Sequence, residues 1–148
     1  MRLIFTKGPA RMDRMEMIHA DGRAEALDCP KQRIIPHDMV HYAVETVLDA
    51  RGFIGRVAAG EAAVLTMAGN AESDGVERLV EAIQGDGWSG GTAPADEVID
   101  LYRVTCEARA CPMLPVDAAA IDAIRARIAA LTAEWEQVPV GGTLALEF

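Results

Sequence analysis

Lysine is almost missing from this chain. Lys7 and Lys31 are its two examples, and arginine carries the rest of the positive charge. With 14 basic against 23 acidic residues, the formal net charge is −9. No basic cluster interrupts that balance, so the chain repels phosphate backbones, and nucleic acid and anionic membranes are not expected partners. Long apolar runs are missing too. The longest uncharged stretches, such as residues 62–71, reach about half the ~20 residues of a membrane-spanning helix. Cysteine is sparse and odd in number: Cys29, Cys106 and Cys111. The first nine residues hold no long apolar segment. A secreted disulfide scaffold is therefore excluded, and a reducing cytoplasm is the expected location. Aromatic residues are 5% of the chain, so the core must be built from Ala, Val, Leu, Ile and Met.

What is present is enough for one such core. Hydrophobic residues make up 51% of the 148 positions, which argues against disorder and for a single domain over residues 1–148. The start of the chain reads as an antiparallel meander. Arg2 to Thr6 and Met12 to His19 have strand character, with Met15 and Met17 sharing one face. Asp21-Gly22 is a tight-turn pair, and Ala24 to Leu27 return as a third strand. His19 reads as a strand-end surface residue, and Cys29 to Arg33 as a connector.

Helical signals then dominate. A main helix is predicted from about Pro36 to Ala50, ended near Gly52, and a short one over Phe53–Ala59. Ser73 caps a helix to about Gln84, with Val76, Leu79, Val80 and Ile83 at helical spacing. Gly85 to Gly91 reads as a flexible loop or mobile lid. It lacks the lysine and leading strand of a phosphate loop. Acids after Pro94 open another helix, with Val98, Leu101, Tyr102 and Thr105 inward. Asp117 caps the longest, whose seam is Ile121, Ile124, Ile128, Leu131 and Trp135. Thr143 to Phe148 alternate as a final strand. The expected fold is α+β: four antiparallel strands, three N-terminal and one C-terminal, under four or five helices on one face. The other face, with the Met-rich strand side, is a candidate homodimer surface.

The chemistry concentrates in residues 34–45. His37, His41 and Glu45 are four apart and span about 80° of a helix, at the edge of the stripe Met39, Val40, Ala43, Val44, Val47 and Leu48. A His-x-x-x-His pair can present both rings to one divalent metal such as zinc. Glu45, Asp38 or Cys29 then completes the shell or orients the rings from behind. Asp38 and Glu45 are also the candidate catalytic carboxylates for acid–base work with a histidine. The pattern is similar to the His-Glu-x-x-His of zincin peptidases, but Asp38 replaces the glutamate and shortens its reach. In the structural reading, His37 satisfies local groups, Asp38 stabilises the helix start and His41 is an ordinary boundary histidine. Cys29 as a nucleophile has no helix N-terminus to activate it. Cys106 and Cys111, five apart, match no zinc spacing and read as core or boundary thiols.

The run Ile35-Pro36-His37-Asp38-Met39-Val40-His41 through Glu45, followed by Gly52-Phe53-Ile54-Gly55, resembles a group of small bacterial proteins. They carry a Pro-His-Asp-x-x-His helix and a Gly-Phe-x-Gly segment. The resemblance implies no activity. It implies that helix and segment form one unit, with Gly52 and Gly55 letting the segment close over the histidine face. Two functions follow as expectations. One is a metal-binding or hydrolase-like protein using His37, His41 and Glu45, with an unspecified small-molecule ligand. The other is a non-enzymatic interaction module or homodimer without metal.

Overall fold

The computed structural model describes residues 1–31, 35–63 and 68–148. Gln32 and Arg33 of the expected connector, Ile34 of the histidine stretch and residues 64–67 lie outside the described residues.

The N-terminal meander forms as expected. Strands β1 (Arg2–Thr6), β2 (Met12–Ile18) and β3 (Ala24–Pro30) pair antiparallel. The C-terminal strand β4 (Thr143–Glu147) pairs antiparallel with β1, giving the order β3-β2-β1-β4. Alternation assigns the faces. Leu3 stands opposite Met17 and Leu146, and Phe5 opposite Met15 and Leu144. Leu3, Phe5, Met15, Met17 and Cys29 are fully buried.

The methionine side is therefore the core face, not an open dimer surface. Low aromatic content explains this: flexible methionines fill the gap between sheet and helices. The outer face carries Arg2, Arg14, Asp28 and Glu147. β3 runs three residues longer than expected, because Cys29 and Pro30 continue the ladder opposite Asp13 and Met12. Pro30 is tolerated there because β3 is an edge strand. His19 is not a free surface residue. Its Nε2 lies 3.1 Å from Glu25 Oε1, and Glu25 Oε2 accepts a hydrogen bond from Ala63 N.

The described residues form five helices, α1 (His37–Leu48), α2 (Phe53–Ala58), α3 (Ala71–Trp88), α4 (Ala95–Arg109) and α5 (Ala118–Gln137), which share one core with the inner face of the sheet. α1 packs on α5, α3, α2 and β3. Tyr42 ties it across the fold, its hydroxyl donating to Glu147 O at 2.9 Å and accepting from Arg127 of α5 at 3.1 Å. α1 stops short of Gly52 because Asp49 adopts a left-handed conformation, φ 51°, that closes the helix end.

α3 starts with a capping box. Asn70 Oδ1 accepts from Ser73 N while Ser73 Oγ accepts from Asn70 N, both at 2.9 Å, so Asn70 is the cap and Ser73 its partner. The helix then runs through Gly85-Asp86-Gly87-Trp88. This corrects the reading of a flexible loop or lid: only Ser89–Gly91 form the turn. Asp86 holds the last turn in place, since its carboxylate receives Arg125 Nε at 3.0 Å and Nη2 at 2.7 Å, and Ala93 N at 3.3 Å. In α4 the inner stripe is Val98, Tyr102 and Cys106, while Leu101 is exposed. The α5 seam is buried at Ile121, Ile124, Leu131 and Trp135. Among the described residues, no helix is long and apolar enough to cross a membrane.

Candidate metal centre

Pro36 precedes α1 with φ −50° and ψ 141°, so the helix begins at His37 without forfeiting a backbone donor. Helical spacing then stacks His37, His41 and Glu45 along one edge. Their environments differ. The His37 side chain is 26% exposed, that of His41 4% and that of Glu45 0%.

A buried carboxylate needs donors, and Glu45 has three. Gly55 N donates to Oε2 at 2.7 Å and Ile54 N to Oε1 at 3.2 Å, while His41 Nδ1 lies 3.3 Å from Oε1. This approach explains the glycines. A Cβ on Gly52 would stand 2.5 Å from Glu45 Oε1 and 2.6 Å from Val76 Cγ1. One on Gly55 would stand 3.2 Å from Oε2.

With Nδ1 turned to Glu45, Nε2 of His41 points the other way. It lies 3.1 Å from His37 Nε2 and 3.1 Å from Glu77 Oε2 on α3. Glu77 Oε1 lies 3.9 Å from His37 Nε2. One ligand atom from each of His37, His41 and Glu77 falls within 4.8 Å of the others. Two nitrogens bound tetrahedrally to zinc at ~2.0–2.1 Å would lie about 3.3–3.4 Å apart. The two histidine nitrogens are thus already near a shared first shell. The group lines a cavity of about 350 Å³. Leu27, Pro30 and Phe53 give that cavity apolar walls, and Asp38, Arg56 and Asp74 give it polar ones.

The protons follow the surroundings. Burial opposes charge on His41, but hydrogen bonds to Glu45 and Glu77 outweigh it and hold the group at about 10. The His41 hydrogen bond pulls Glu77 down to about 2, against the opposing effect of burial. His37 moves the other way, lowered first by burial and then by the charge on His41. A neutral His37 leaves Nε2 as an acceptor and its proton on Nδ1. That Nδ1 is buried with no hydrogen bond of good geometry, although the Gln84 amide sits beside the ring and favours its charged form. Of the three residues, His41 thus carries the positive charge and Glu77 the negative one, with His37 neutral beside them.

His37 and His41, expected to share one point, do so. Glu45 stands behind His41 on the far ring nitrogen, away from the shared point. Asp38 lines the cavity beside Cys29. The Cys29 thiol is pushed far above its usual range, first by burial and then by the Asp38 charge, so it stays protonated. Glu77 was not singled out in the sequence. The one available signal was the line Ser73, Glu77 and Gln84, spaced by four and seven along the border of the α3 stripe. The histidines occupy the same kind of border on α1.

No family model matches the chain, and no curated protein or solved structure is significantly similar to it. The functional reading therefore rests on the geometry of this centre.

Proposed function

We propose that the protein binds one divalent metal ion, zinc first among the candidates, through His37 Nε2, His41 Nε2 and a Glu77 carboxylate oxygen. The observation that carries the reading is the convergence of these three atoms, from two helices, at the wall of a cavity of about 350 Å³. Two imidazoles and one carboxylate suit zinc, and three protein ligands leave a position for water, as in catalytic rather than structural sites. A metal held there would acidify such a water, the chemistry a hydrolase needs for a small molecule in the cavity. Of the two candidate carboxylates, Asp38 lines that cavity and Glu45 does not, which supports Asp38 over Glu45 for acid–base work there.

One observation favours the competing reading of a packed polar edge in an interaction module: His41 is already hydrogen-bonded to Glu45 and Glu77. The convergence of His37, His41 and Glu77 on an open cavity weighs against it. Calorimetric titration of tag-free protein with zinc and with cobalt decides between them. One-to-one binding, lost in His37→Ala and Glu77→Gln variants that keep their helical spectrum, is the expected result. Saturating zinc with no heat and no change in cobalt spectrum would sink the proposal.

A further inference from the structure

We infer that Glu45 is a positioning residue of the metal centre: it holds a proton on His41 Nδ1, so that the proton a metal displaces is the one on Nε2, the nitrogen aimed at His37 and Glu77. The inference deepens the metal-binding reading and rests on it. Three observations converge. Glu45 lies 3.3 Å from the ring nitrogen opposite the one that meets His37 and Glu77. It is fully buried, so it has no solvent role. It is immobilised from behind by Ile54 N and Gly55 N, on a backbone that approaches this closely because Gly52 and Gly55 lack a Cβ.

A metal-bound imidazole needs one bare nitrogen and one protonated nitrogen. The group accepting the second proton sets which is which and how the ring is turned. Here that group comes from one helical turn below on α1, and the Gly52–Gly55 segment is its clamp. The helix and the Gly-Phe-x-Gly segment are thereby parts of one centre, even though no residue of the segment is a ligand. The carboxylate oxygens already face two backbone donors and one ring donor. An amide at position 45 would turn an N–H against one of those donors, so that the hold on the ring and the full backbone clamp could not both be kept.

The test compares zinc titrations of the wild-type chain, Glu45→Gln and Ile124→Val, with thermal unfolding recorded for each. The expected result is zinc affinity about 10–100-fold weaker in Glu45→Gln. Ile124→Val, a core change in α5, should bind zinc as the wild type does even where it melts earlier. Wild-type affinity in a folded Glu45→Gln would overturn the inference and leave the metal reading standing. No zinc or cobalt binding by the wild type would overturn both. If Glu45→Gln does not fold, histidine nitrogen NMR of the zinc-loaded wild type decides. A proton on His41 Nδ1 with Nε2 metal-bound supports the inference, and the opposite assignment overturns it.

Discussion

Two glutamates near the same histidine show how far the surroundings, not the residue type, set a role. Glu45 is sealed among backbone donors, whereas Glu77 keeps 36% of its side chain exposed at a cavity wall. The first suits holding a ring, the second meeting an ion. The spacing from His41 to Glu45 is local, so that contact was legible in the sequence. The Glu77 contact depends on α3 crossing α1, and in a chain with 23 acidic residues nothing local distinguishes this one.

Gly52 is the tightest test at this scale. Gly52→Ala should destabilise the protein by about 1–3 kcal/mol in urea unfolding, since its Cβ meets both a fixed carboxylate and buried Val76. Protons give a second test. His41, at about 10 in the fold against an ordinary 6.5, is charged in the native state over a range where the unfolded chain is neutral. Its contribution is fully present below about 6.5 and is lost as pH rises through about 10. Glu77, depressed to about 2 from 4.5, contributes above about 4.5, and this is lost as pH falls through about 2. Melting temperatures of metal-free wild type should thus decline from pH 6.5 to 10 more steeply than those of His41→Gln.

Among the elements, the apolar stripes of α1, α3 and α5 were legible because burial of one face imposes a 3.6-residue period. The ends were less so. Gly85 and Gly87 each disfavour helix by about 1 kcal/mol relative to alanine, so local propensity stops α3 near Gln84. The Asp86–Arg125 ion pair and the Ala93 hydrogen bond carry it four residues further. Asp86→Ala should cost about 1–3 kcal/mol, the Arg125 side chain keeping enough solvent contact to limit the loss. Amide exchange should accelerate over residues 85–88 more than elsewhere in α3. In α4, Leu101 fits the helical period and is nevertheless exposed. The period defines a stripe, and the neighbour decides how much of it is covered.

For the whole molecule, the metal reading carries a consequence for stability. A ligand held by the native state alone, at a hundred times its dissociation constant, stabilises by about 2.7 kcal/mol. In a chain of this size that raises the melting temperature by about 5–10 °C. Zinc should produce such a shift in wild type and none in His37→Ala, as read by differential scanning fluorimetry with a chelator control. Sheet and helices share one core, and the centre lies on its border where α1, α2 and α3 meet. Metal bound there would tie α1 to α3 directly and add to the packing and hydrogen bonds that already hold them.

The sequence by itself determined the α+β class, the four strands and the fact that two imidazoles sit one turn apart. Each of these follows from a short-range period or turn pair that any local window contains. Tertiary structure decided which carboxylate joins the histidines, which face of the sheet is buried and where α3 ends. Those outcomes depend on residues brought together across long separations, where spacing along the chain carries no information. In the run that opens at His37, the pair of rings is local. The carboxylate that meets them and the cavity beside it exist only once α3 lies across α1.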